Sequence, residues 1–285
     1  MEAVKTVLTR LKLPSGRGAV LYIVQMESYP KSFRIKDASP SVAVFAVLGS
    51  GWNLDRKVAA VRETIRDFLP HEWAHHALSL RYGRRSPGRR ARWIEEGFAS
   101  YVADRAMEML EPGRFSLGRR LRLPLVDLHR LGPEALLAWE YEPIPARLDQ
   151  MPSLQLRYSA SMGVFLGIEE RGGPEAVLAF LDAVKGRGEL SAEEIDSALG
   201  STSGTRLSAL AAMSAEELQS VYDLALRLLA SAADEEVSVA VEALERFPER
   251  FGSHGEAVRK AAGSDVLSPV TRAAAQRLIE EQGSP

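Results

Sequence analysis

His71-Glu72-Trp73-Ala74-His75 sets two imidazoles four positions apart with a carboxylate beside the first. On an α-helix, positions i and i+4 lie one turn apart on nearly one face. His71 and His75 can therefore aim ring nitrogens at one metal ion. Glu72 adjoins His71 but is out of line with the pair, a position that suits a base taking the proton of an attacking water. A catalytic zinc takes three protein ligands and keeps a fourth position open, so one more ligand must come from elsewhere. The segment Trp93-Ile94-Glu95-Glu96-Gly97-Phe98-Ala99-Ser100-Tyr101 offers two carboxylates for that role, Glu95 and Glu96. The chemistry open to such a set is hydrolysis of an amide bond by activated water.

These side chains need elements that hold them together. Pro70 stands just before His71 and either kinks a preceding helix or fills the first turn of the motif helix. Asn53 or Asp55 is placed to cap a helix running through Phe68. Ala91 to Met109 reads as a second helix, with Ile94, Phe98, Val102 and Met109 as an apolar stripe near helical period. Gly97 is costly inside a helix unless another backbone, such as that of the His71 helix, approaches closely. Upstream, Ala19 to Gln25 and Val42 to Leu48 are β-rich apolar runs, with turn residues between them at Tyr29-Pro30 and Ser39-Pro40. They predict a small β-sheet lobe against the two metal helices.

The run Trp93 to Tyr101 resembles the W-L-N-E-G-F-A-x-Y segment of gluzincin peptidases, the M1 aminopeptidases and the smaller peptidase MA-like domains above all. In that pattern the glutamate before the glycine is the zinc ligand, so the resemblance implies His71, His75 and Glu96 as ligands, with Glu95 in place of an asparagine. Arg157-Tyr158-Ser159-Ala160-Ser161-Met162-Gly163-Val164-Phe165-Leu166 is similar to the family's tyrosine helix, and Tyr158 follows Glu96 by 62 positions, close to the family spacing. The resemblance implies that Tyr158 stabilises the oxyanion. Glu169 to Val177 is similar to the E-x-x-G-x-E-x-L turn of MA-like domains. In all it covers roughly residues 20 to 210. One departure stands out: M1 aminopeptidases bind the substrate amine through a G-x-M-E-N strand, and Val42 to Gly51 has no acidic residue. That favours an endopeptidase over an aminopeptidase. In the superfamily an edge strand lies along the substrate, and Val42 to Leu48 is the candidate.

Other polar residues are secondary. Ser100 and Asp104 lie one and two turns beyond Glu96 on its face, in position to orient a ligand histidine. His76, about 100° round the helix from His75, His129, and His254 in a Gly/Ser turn read as packing or surface residues. Arg81 to Arg92 carries six arginines around Ser-Pro-Gly and reads as a solvated loop, or as an anion-attracting rim. Ser191-Ala192-Glu193-Glu194 and Ser214-Ala215-Glu216-Glu217 are capping-box patterns. Beyond Ser231, Val237 to Phe247 and Ser268 to Glu280 read as Ala-rich amphipathic helices, and Ser268 to Leu278 resembles the second half of a HEAT-type helix pair.

The chain has 285 residues, 46% of them hydrophobic, a net charge of −2 and no cysteine. This fits a globular protein with ample core, gives no reason to expect nucleic acid, and rules out disulfides and thiolate zinc ligands. No stretch of about 18 apolar residues spans a membrane. Met1 to Thr6 lacks the form of a signal peptide, so the expected location is cytoplasmic. The expected fold is α+β: a β-lobe at about 1–52, catalytic helices at 53–110 and a helical lobe at 111–230, followed by a C-terminal helical cap at 231–285 that offers a surface for a protein partner. The expected function is a zinc-dependent (Zn2+) peptidase acting on peptide or protein substrates. Its metal ligands are His71, His75 and Glu96, and its catalytic groups Glu72 and Tyr158. The alternative is a non-catalytic or partner-activated binding protein of the same scaffold.

Overall fold

The computed structural model describes residues 2–14, 19–26, 42–49, 51, 53–83, 91–139, 151–185 and 190–282. It is 83% helical. Two strands, β1 (Ala19–Met26) and β2 (Val42–Gly49), pair in parallel from Ala19 opposite Val42 to Met26 opposite Gly49. The expected α+β class with a β-sheet lobe is corrected by this finding: the protein is mostly helical. The physical reason is that only these two runs have β character, and a lone two-stranded ladder is too small to make a layer with its own core. The remaining apolar residues recur at helical period and bury themselves between helices.

Helix α1 (Glu2–Arg10) buries Val4, Val7 and Leu8 in that helical core. Asn53 caps α2 (Leu54–Glu63) by accepting the backbone N–H of Arg56 at 2.9 Å. A π-helical turn, Thr64–Phe68, then runs directly into α3 (Leu69–Tyr82), the motif helix. Pro70 lies in the first turn of α3. It has no N–H to offer the carbonyl four residues back, and its ring crowds that carbonyl. The widened π turn relieves both demands. α3 turns Trp73, Ala74, Ala77 and Leu78 into the core, which leaves His71 and His75 half-buried at the edge and Glu72 exposed.

The second motif helix, α4 (Arg92–Leu110), is buried on most sides, although Met109 at the end of its predicted stripe is exposed. It is followed by α5 (Pro112–Arg120), α6 (Leu123–Leu131) and α7 (Pro133–Leu137). The long α8 (Met151–Val184) breaks at Gly173, whose φ of 74° and ψ of 179° are non-helical, and restarts at Pro174. α4 and α8 run parallel. Gly97 lies against Ser161, and eight residues further along both helices Arg105 pairs with Glu169. Phe98, Tyr101, Phe165, Phe180 and Trp93 stack between them.

The remaining helices are α9 (Ala192–Ser203), α10 (Leu207–Ala211), α11 (Ala215–Leu229), α12 (Asp234–Leu244), α13 (Phe251–Ala262) and α14 (Pro269–Gln282). Both capping boxes are formed: Ser191 with Glu194 opens α9, and Ser214 with Glu217 opens α11. One apolar core runs from Ala3 to Leu278, without a break near residue 230. Among the described residues no helix is long and apolar enough to cross a membrane.

Candidate metal centre

The end of α3 nearest its start faces the first turns of α4. There the His71 Nε2 lies 3.1 Å from the His75 Nε2 and 3.1 Å from Glu96 Oε2, and the His75 Nε2 lies 3.3 Å from the same oxygen. Zinc–nitrogen and zinc–oxygen bonds of about 2.0–2.2 Å at tetrahedral angles place ligand atoms roughly 3.3–3.5 Å apart. The triangle is close to one face of such a tetrahedron, and its donor set is two imidazoles and one carboxylate. Among the described residues this is the one group of three potential metal donors. The same donors also suit other divalent transition metals. Glu95, the competing carboxylate, stays outside the triangle.

Two of the three ligands have an orienting neighbour. Ser100, one turn beyond Glu96, places its hydroxyl 3.4 Å from His71 Nδ1. With Nδ1–H donated to that oxygen, the ring keeps Nε2 free as a ligand atom. Glu96 divides its oxygens: Oε2 faces the histidines, and Oε1 lies 3.6 Å from Arg92 Nε. Burial works against the ionised Glu96, but hydrogen bonds with His71 and His75 overcome it and hold the carboxyl well below the usual range. Burial likewise opposes a proton on His75, and Glu96, with the fields of Glu72 and Glu95, raises its pKa on balance. Three carboxylates therefore set the field at this histidine, a strongly anionic surround for a cation.

Tyr158 enters from α8. Its ring centroid is 5.8 Å from that of His71 and 5.2 Å from that of Trp139. Burial first, then the nearby Glu96 carboxylate, push its pKa up to about 12 against the opposing pull of Arg92. The phenol stays protonated near neutral pH and is available as a hydrogen-bond donor.

Close approach of α8 explains Gly97. A Cβ there would sit 2.7 Å from the Ser161 carbonyl oxygen. The backbone that requires this glycine is therefore that of the Tyr158 helix, not that of the His71 helix. Arg92 and Trp139 carry no obvious signal in the sequence reading. Arg92 is 7% exposed, with its guanidinium 4.9 Å above the Trp139 ring. The one available clue is its i,i+4 spacing from Glu96. Asp104 does not reach the histidines and lines a separate cleft. His254 is buried within α13 against the Tyr222 hydroxyl, 3.2 Å away, rather than in a turn. His129 binds the Ala211 carbonyl at 3.0 Å. Arg84, Arg85, Arg89 and Arg90, the centre of the arginine-rich segment, lie outside the described residues.

No family model matches this chain, and neither a curated protein nor a solved structure matches it.

Proposed function

We propose that this protein is a zinc-dependent hydrolase of peptide bonds with a gluzincin-like ligand set, acting within chains rather than at a free amino terminus. The observation that carries the reading is the triangle of His71 Nε2, His75 Nε2 and Glu96 Oε2, with edges of 3.1 to 3.3 Å. These three residues would hold the ion. Once bound, zinc supplies acidification of water and polarisation of a carbonyl.

The chain's own groups divide the remaining work. Glu72 is exposed and next to a ligand, where it accepts the proton of the attacking water and returns it to the leaving amine. Tyr158 donates its hydrogen bond to the oxygen that gains charge as the carbonyl carbon becomes tetrahedral. Arg92 holds the second oxygen of Glu96. The endopeptidase reading is supported by the absence of an acidic residue from Val42 to Gly51, where the resembling aminopeptidases carry an amine anchor.

Cleavage of an unfolded protein substrate, with and without chelator, tests the reading. Activity that chelator removes and zinc restores is expected. Glu72→Gln should retain stoichiometric zinc and lose turnover by about 100-fold or more. Zinc binding without turnover in the unaltered protein would instead indicate a binding or partner-activated protein, and failure to bind zinc would dismiss both.

A further inference from the structure

A cavity of about 300 Å³ lies between α4, α5, α6, α8 and α12, separate from the metal ligands themselves. Its walls follow from the metal-bearing faces. On α4, Glu96, Ser100 and Asp104 succeed one another every four residues, and on α8 so do Tyr158, Met162 and Leu166. Because α4 and α8 run parallel, both series advance in the same direction. Asp104, Met162 and Leu166 all line the cavity. Eight residues of helix from Glu96 to Asp104 are about 12 Å, so the cavity begins within two turns of the ligand.

Its chemistry is uneven. Met162, Leu166 and Leu123 give it an apolar wall. Arg119 and Arg246 are each already engaged, with Glu108 and Asp127. Among the described residues Asp104 has neither a hydrogen bond nor an ion pair, although it adjoins the cavity. Burial, with Glu169 adding to it against Arg105, pushes its pKa up to about 6. Glu111, exposed and also lining the cavity, has no side-chain partner among the described residues. A divalent cation needs several oxygen ligands brought together, and among the described residues only the histidine–glutamate triangle gathers three donors. A long side chain with an apolar stem and a cationic head fits better, because the stem lies along apolar surface while the head finds a carboxylate.

We propose that this cavity is a substrate subsite for a lysine or arginine side chain, with Asp104 as the group that receives the cation. The separation of about 12 Å from the metal ligand favours a long side chain over the α-amine of the residue at the cleaved bond. The assignment rests on the hydrolase reading only in making the cation part of a peptide.

Binding and turnover are measured separately, so that the two readings fail separately. Fluorescein-labelled alanine–glycine decapeptides, with one lysine, leucine or glutamate stepped along the chain, are titrated against zinc-loaded Glu72→Gln protein by anisotropy. At one or two positions lysine should bind about tenfold or more tighter than leucine, as expected for a charge-assisted contact. Asp104→Asn should close that gap, and Glu111→Gln should narrow it. The Glu111→Gln result keeps the test decisive if Asp104→Asn does not fold. Lysine no better than leucine at every position, or a lysine advantage that survives both substitutions, overturns the proposal. A preference for glutamate would assign the cavity to Arg66, Arg119 and Arg246 and overturn it equally. Lysine-selective binding with no cleavage by the unaltered protein would remove the hydrolase reading and leave the subsite. Cleavage with no lysine preference would do the reverse.

Discussion

At the scale of single residues, the centre depends on what holds the ligands as much as on the ligands. His71, Glu72 and His75 were legible because their spacing is itself the geometry of a helix face. The choice of Glu96 over Glu95 came from a resemblance, and the structure places Glu96 in the triangle. Arg92 was not legible: it ends a run of arginines whose composition reads as solvent-exposed, and only burial against Trp139 gives it another role. Arg92 Nε lies 3.6 Å from Oε1 of Glu96, at ion-pair rather than hydrogen-bond distance, while Oε2 faces the histidines. Arg92→Leu should therefore free the carboxylate to rotate and weaken zinc binding by about 10- to 100-fold, the usual effect of losing a group that orients a ligand. Arg92→Lys should recover part of this, since the charge returns without the planar fork. Competition against a chromophoric chelator measures it, with circular dichroism as the check on folding. Equal zinc affinity in all three proteins would show that Arg92 is only packing.

At the scale of elements, the site is a junction of three helices, and the α4–α8 contact sets its spacing. Helix periods were readable from the apolar positions, and the capping boxes from their Ser-x-x-Glu pattern. The partner of α4 at Gly97 was not, because a glycine announces a close approach without naming what approaches. The two β-rich runs were visible too, but a sheet lobe did not follow from them, since two strands cannot bury a layer. Gly97→Ala would place a methyl 2.7 Å from the Ser161 carbonyl oxygen and 2.9 Å from its Cβ. The helices must part, at a cost of about 1–3 kcal/mol, and Tyr158 moves away from His71 with α8. The expected outcome is a lower Tm together with turnover that falls more than zinc affinity, because both histidines lie on α3. Loss of stability with unchanged turnover per folded molecule would show that α4–α8 spacing does not set the position of Tyr158.

At the scale of the molecule, the C-terminal helices share one apolar core with the helices before them. Asp127 on α6 is 3% exposed and accepts Arg246 Nε at 3.0 Å, a second guanidinium nitrogen at 2.7 Å and the Ser159 hydroxyl at 2.6 Å. A contact spanning 119 positions cannot be read from periodicity, which is why composition alone suggested a boundary near residue 230. Breaking one side leaves a buried charge, so Asp127→Asn or Arg246→Met should each cost about 3–5 kcal/mol. The double variant Asp127→Leu with Arg246→Met should cost less than the sum of the two single changes, as urea unfolding would measure. Strict additivity would mean that the pair is not a unit. Next to Arg246, burial pushes Glu245 up to about 7 from an ordinary 4.5, with Glu242 and Glu281 adding to it against Arg246 and Arg277. Its folded-state pKa is raised, so the stability it contributes is fully present below about pH 4.5. As pH rises toward 7 the unfolded chain releases this proton before the folded one does, and that contribution is lost. Asp104, raised to about 6, acts in the same direction. Glu245→Gln removes the ionisation, so above pH 7 it should exceed the unaltered protein in stability by about 1–3 kcal/mol. The two should converge below about pH 4, and an equal difference at about pH 4 and pH 8 would show that Glu245 is not held protonated by the fold.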